Sequence, residues 1–275
     1  MNFIGQRKLL EKLNKYTRET LPKTLLFLGN EGCGKHTVIK MLANRFSFEV
    51  IEIDPAMSDN ETLAQAIQED YSRKTIPTMF IIDIVKFSSK GQNALLKFIE
   101  EPGPEVFISI IASSEIGILP TILNRCIKLR FELYLKEELQ ALTNISITND
   151  LIFEICKSPG MLKCLDTKTF DELYELCVKL VTKIKTASYA NTMSLFTRVN
   201  YKDEYSKFDF DVFFNTLEYT AFTDFKTTGN EDSFKVYQIV NTFKQHRIRL
   251  YREVAKEAFM LNFLTQLWKE FHEWL

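Results

Sequence analysis

Five short apolar runs alternate with helix-patterned segments through roughly the first 130 residues: Thr24 to Leu28 (TLLFL), Phe48 to Ile53 (FEVIEI), Thr78 to Asp83 (TMFIID), Val106 to Ala112 (VFISIIA) and Cys126 to Phe131 (CIKLRF). Runs so short and so continuously apolar read as strands covered on both faces. Parallel neighbours in such a sheet need a long crossover, which the intervening helical stretches supply. The alternation therefore predicts an α/β domain built on a parallel sheet. From about Leu133 the strand signals nearly vanish, and segments such as Lys136 to Leu142, Asp150 to Lys157, Phe170 to Ile184 and Phe234 to Phe271 carry helical spacing with charged faces. Breaks at Ser158-Pro159-Gly160 and across the polar tract Phe225 to Ser233 divide this helical part. The expected organisation is an α/β nucleotide-binding domain over 1–132, a small helical lid over 133–168 and a helical C-terminal domain over 169–275.

The first run is followed by GNEGCGKHT, residues 29–37. Gly29, Gly32 and Gly34 allow the backbone to curl so that successive N–H groups face a phosphate. The following helix adds its positive N-terminal end, and Lys35 reaches terminal phosphates. The residue after the lysine usually gives Mg²⁺ a hydroxyl oxygen, which suits a hard cation. Here it is His36, a poor replacement, and Thr37 cannot simply stand in because one step along a helix turns a side chain by about 100°. Asp83 closes the run MFIID (residues 79–83), where a strand-end carboxylate meets Mg²⁺ or its waters. The candidate nucleotide is ATP or ADP, bound in a structural role or with Mg²⁺ where it is held productively.

Further along, NALLKFIEEPGPE (Asn93 to Glu105) and LPTILNRC (Leu119 to Cys126) stand at a spacing that, together with FIGQ (Phe3 to Gln6), resembles the clamp-loader branch of the AAA+ ATPases. The resemblance is strongest to the delta-prime subunits of bacterial DNA polymerase III and covers residues 1 to about 170. Beyond that, the chain shares mainly helical character, with REVAKEAFMLNFLTQL resembling a late collar helix. The resemblance implies an AAA+ P-loop domain, a helical lid and an all-α collar. It implies a subunit that joins gamma/tau-like and delta-like partners to load a sliding clamp onto primer-template DNA. By position, Arg125 would be an arginine finger directed at a neighbour's nucleotide, and Asn124 departs from the serine of the family pattern. Ser113 falls at the sensor-1 position. Lys163 falls where active motors place a sensor-2 arginine, keeping the charge without the bidentate fork. Ile84 occupies the position of the glutamate that polarises water. Loss of such a base costs on the order of 10²- to 10⁴-fold in rate, so slow or absent hydrolysis is expected of this chain's own site. Lys86, Ser88, Ser89, Lys90 and Gln92 fall where backbone phosphates of duplex DNA could be held. The four-cysteine zinc module of many relatives is absent between Met41 and Phe48.

Other readings fit parts of the pattern. A working gamma/tau-type motor would have to rely on Lys35, Thr37, Asp83 and Lys163. A stand-alone phosphotransferase leaves NALLKFIEEP and TILNRC without a purpose. A binding module without nucleotide leaves the loop unexplained. A formal net charge of −1 confines any nucleic-acid contact to a local patch or to partners. Cys33, Cys126, Cys156, Cys164 and Cys177 include no C-x-x-C pair and are read as reduced packing thiols. No apolar run approaches the roughly 20 residues of a bilayer span, and the first residues lack an apolar secretory core. A cytoplasmic protein, neither exported nor membrane-spanning, is expected. The aromatic-rich tail repeats at helical spacing and is expected to pack against other helices, with His246 and His272 as ordinary helix-face residues.

Overall fold

The computed structural model describes residues 3–53, 76–142, 151–163, 167–198, 210–250 and 256–272. The chain divides into two compact units, Met1–Glu138 and Leu139–Leu275.

The first unit is built on the strands β1 (Thr24–Leu28), β2 (Glu49–Ile53), β3 (Thr78–Asp83), β4 (Val106–Ala112) and β5 (Ile127–Arg130). They lie in the order β2-β3-β4-β1-β5, and every pair is parallel. The two-residue period of a strand sends alternate side chains to opposite faces. On one face Leu26, Leu28, Phe80 and Ile82 pack with Leu95 and Phe98 of the helix Ser89–Glu100. On the other, Leu25, Phe27, Met79 and Ile81 pack with Val38, Ile39 and Leu42 of the helix Lys35–Arg45 and with Leu9 and Leu13 of the helix Arg7–Asn14. Because helices cover both faces, β1 and β4 are buried at every position, whereas the edge strands β2 and β5 are largely half-buried or exposed.

The regular elements of the second unit, among its described residues, are all helices. Helix Phe210–Thr228 packs against Leu151–Ile155, Thr167–Lys183 and Glu231–Leu250, and Tyr189–Arg198 packs against Lys256–Lys269. Gly229, in the left-handed region at φ 70°, turns the chain between Phe210–Thr228 and Glu231–Leu250, within the polar tract expected to separate helices. The aromatic tail is interior: Phe213, Phe214, Phe243, Phe259 and Phe263 meet edge to face with centroids 4.9 to 6.3 Å apart. His272 stacks on Trp268 at 4.2 Å, and the side chain of His246 lies outside the described residues. Cys33, Cys126, Cys156 and Cys177 are buried, while Cys164 lies outside the described residues. Among the described residues no helix is long and apolar enough to cross a membrane, and no cluster of His, Cys, Asp or Glu is placed to hold a metal.

In β4, Ser109 is fully buried and its hydroxyl has no hydrogen-bond partner among the described residues. It shares its face of the sheet with Phe107 and Ile111. An unsatisfied buried hydroxyl costs about 1–3 kcal/mol. Ser109→Ala is therefore expected to raise stability by about 1 kcal/mol, read as a higher urea midpoint at unchanged slope.

Candidate functional site

β1 lies inside the sheet, between β4 and the edge strand β5, and its carboxyl end opens directly into the glycine-rich loop. The Gly29 N–H donates to the Ala112 carbonyl at 3.2 Å, which fixes the start of the loop against the end of β4. A Cβ at Gly29 would stand 2.6 Å from the Phe131 Cβ and 3.0 Å from the Cys33 Sγ, so only glycine fits there. Gly34 has φ 93°, and a Cβ there would meet the Phe3 ring at 2.8 Å. Gly34 is also the N-cap of Lys35–Arg45 and offers that helix no side-chain cap. The first-turn N–H groups are thus left for an anion, where the helix dipole also favours negative charge. Lys35, 9% exposed, places its Nζ inside the curl, donating to the Gly29 carbonyl at 2.5 Å and the Asn30 carbonyl at 2.9 Å. A backbone cradle that a Cβ would fill, a buried ammonium and an uncapped helix start fit the phosphates of a nucleotide.

The outer wall of the loop comes from residues distant in sequence. Tyr134 donates its hydroxyl to the Cys33 carbonyl at 2.9 Å. Burial, aided by the neighbouring Cys33 and Glu138, pushes the Tyr134 phenol up to about 12, so it stays a donor across the physiological range. Gln6, in the left-handed region at φ 57°, donates through Nε2 to the Glu132 carbonyl at 2.7 Å and accepts from the Glu132 N–H at 2.8 Å. FIGQ is thereby pinned to the segment after β5. No local signal in the sequence marks Tyr134, because its partner stands 101 positions away. Burial also raises the Cys33 thiol, against the lowering effect of Lys35, and keeps it protonated.

Asp83 sits at the carboxyl end of β3. Burial raises its carboxyl above the usual range, while the ammonium groups of Lys86 and Lys35 pull it back. The Lys86 Nζ stands 3.7 Å from its Oδ2. Lys35 and Asp83 therefore share one electrostatic site. Ile84, immediately after, is fully buried in the core beside Phe87 and Leu95. His36 and Thr37 are both exposed on the first turn of Lys35–Arg45, and the charge of His36 helps to lower the Glu52 carboxyl behind the hydrogen bond from Lys40. With His36 at the position after the lysine, the donor set for Mg²⁺ lacks its usual hydroxyl; Asp83 is the oxygen ligand on hand. Ser113, exposed, follows Ala112 and so lies next to the start of the loop. Lys163 closes the helix Pro159–Lys163 in the second unit and is exposed.

The surface group expected to hold DNA phosphates is only partly available. Ser88 caps Ser89–Glu100, accepting from the Gly91 N–H at 3.2 Å, and Lys90 is exposed. Gln92 corrects the expectation, being 1% exposed. Its Nε2 donates to the carbonyls of Ile84, Phe87 and Gly117, and its Oε1 accepts from the Leu119 N–H at 3.0 Å. A buried amide must find partners, and this one joins the turn after β3 to the segment leading into helix Pro120–Leu123. Arg125 follows that helix, donating from Nη1 to the Thr121 carbonyl at 2.7 Å and pairing through Nε with Glu100 Oε1 at 2.7 Å.

Residues 56–134 match the family model described as DNA polymerase III, delta subunit. The chain is 24% identical over 161 residues to DNA polymerase III subunit delta-prime of Bacillus subtilis strain 168, a match covering 48% of this chain and 49% of that protein. It is 35% identical over 68 residues to a replication factor C large subunit of Methanococcus aeolicus, covering 23% of this chain and 14% of that protein. The chain thus spans about half the length of one curated relative and a small part of the other. Among solved structures, a variant of RuvB from Thermotoga maritima superposes with a TM-score of 0.51 at 16% identity, over 82% of this chain and 78% of that one. The fold is that of the AAA+ P-loop proteins, a parallel five-stranded sheet with flanking helices.

Because burial raises the Asp83 carboxyl, its ionised form costs the folded state. The cost is absent below the ordinary carboxylate range and sets in as pH rises through the raised value. Asp83→Asn is therefore expected to raise the melting temperature by roughly 2 °C at pH 7.5 and to leave it nearly unchanged at pH 4, measured by differential scanning fluorimetry.

Proposed function

We propose that this delta-prime-like AAA+ chain is a clamp-loader subunit of a DNA polymerase III type replicase, acting on a neighbour's nucleotide more than on its own. In this reading the helical residues act as a lid over 133–168 and a collar over 169–275 that joins gamma/tau-like and delta-like subunits. The assembly opens a sliding clamp for placement on primer-template DNA. The sequence relationship to delta-prime subunits supports it, and one contrast in the site carries it. Ile84, where a water-polarising glutamate would stand, is locked in the core, while Arg125 keeps its charge at the surface, its side chain 40% exposed.

The roles follow from the chemistry of each group. The loop N–H groups from Gly29 to Lys35 and the Lys35 ammonium hold the phosphates of ATP or ADP, with Asp83 toward any Mg²⁺ and Ser113 as a further phosphate contact. Bound there, the nucleotide supplies negative charge that the loop neutralises, which favours a fixed loop over turnover. Ile84 has neither a proton acceptor nor a hydrogen bond with which to orient water. Arg125, directed across a subunit boundary, offers a permanent positive charge to the charge that develops on a transferred phosphoryl group. Such fingers contribute about 10³- to 10⁵-fold.

The test is steady-state ATP turnover of the assembly reconstituted with clamp and primed DNA. Arg125→Ala is expected to lower stimulated turnover by about tenfold or more, and Lys35→Ala to change it by less than about twofold. Severe loss with Lys35→Ala and wild-type turnover with Arg125→Ala would make this chain the motor.

A further inference from the structure

We infer that Glu100 is the positioning residue for Arg125, holding the guanidinium ready before a neighbouring subunit arrives; this rests on the reading of Arg125 given above. Glu100 is the last residue of the helix Ser89–Glu100, and Arg125 follows the helix Pro120–Leu123, which packs against it. Glu100 Oε1 takes the Nε–H at 2.7 Å, and the Thr121 carbonyl takes an Nη1 hydrogen, also at 2.7 Å. These contacts lie on different edges of the planar group, so together they fix its plane as well as its direction. Neither uses Nη2, which has no partner among the described residues and stays available for a phosphate oxygen.

The pair is partly exposed, with side-chain accessibilities of 40% for Arg125 and 39% for Glu100. An ion pair so open to solvent contributes little to stability, and geometry is where it acts. A free arginine loses rotamer entropy when it engages an anion. One already tethered at two edges has lost much of it beforehand, which is the advantage of preorganisation. The carboxylate also offsets part of the positive charge. If that effect outweighed alignment, Glu100 would restrain turnover, so the sign of the Glu100 effect decides between them.

The experiment uses the same reconstituted assembly, with kcat and KM for ATP determined separately. Glu100→Ala is expected to lower kcat about tenfold with KM unchanged, since small misplacements of a catalytic group are costly. Glu100→Gln, which keeps an oxygen acceptor for the Nε–H, should remain within about threefold of wild type. Glu100→Asp, too short to reach, should follow the alanine variant, and thermal melting of the variants checks that the fold is intact. On an Arg125→Ala background, Glu100→Ala should change nothing further. The inference is overturned by a wild-type or raised kcat in Glu100→Ala, or by an equal loss on the Arg125→Ala background. If Arg125→Ala lowers turnover and Glu100→Ala does not, only this inference fails. If Arg125→Ala is itself silent, the proposed role of the finger fails with it.

Discussion

The close approach of the glycine-rich loop to the segment that follows β5 is the constraint on which the candidate site depends. β1 sits between β4 and β5, and the Phe131 N–H donates to the Leu28 carbonyl at 2.8 Å, so the end of β1 is paired on both sides. Gly29 then passes Phe131 with no room for a Cβ. Because β1 is an interior strand, buried at every position, and its register is fixed by two parallel neighbours, the loop that leaves it starts from a rigid point. Its backbone N–H groups can then converge on an anion without first being ordered. The contacts of Tyr134 with Cys33 and of Gln6 with Glu132 close the outer side of the loop.

On the neighbouring strand β3 the balance between stability and chemistry differs from one residue to the next. Asp83 keeps a carboxylate in a place where burial disfavours its charge, a pattern common where function overrides stability. Ile84 does the opposite. Fully burying such a side chain contributes about 1.5–3 kcal/mol, and an ionised glutamate in the same pocket would need a partner that the apolar surroundings of Phe87 and Leu95 do not offer. In the proposed reading, the two positions keep a carboxylate beside the loop and place a buried isoleucine where a water-polarising group would be needed.

Gln92 links this region to the arginine. Its amide bonds to the carbonyls of Ile84 and Gly117 and to the Leu119 N–H, and helix Pro120–Leu123 carries the chain from there to Arg125. In the sequence Gln92 reads as a polar residue near a helix start, and so as a surface contact. Burial reverses that reading, since an amide in the interior is committed to the protein's own backbone groups. Ser88, read as part of the same surface, is engaged as a helix cap. Sequence pattern alone does not separate a polar side chain that faces solvent from one that closes a buried network, because both sit at the same distance from a helix terminus.

The strands, their parallel pairing, the helical second half and the loop with its lysine were all readable from the chain. They depend on local properties: the two-residue and 3.6-residue periods of apolar side chains, the freedom of glycine, and short-range motifs such as TILNRC. Asp83 and Ile84 were legible for the same reason, as the end of a strand. The sheet order, the seating of Phe3 and Tyr134 on the loop, the inward turn of Gln92 and the capture of Arg125 by Glu100 were not. Each joins residues separated by many positions, and NALLKFIEEP contains two adjacent glutamates with nothing local to say which one meets an arginine. Sequence by itself determined which elements form and which chemical groups they carry; the packing of helices onto a twisted sheet decided which of those groups meet, because burial and distance are properties of the assembled layers and not of any single segment.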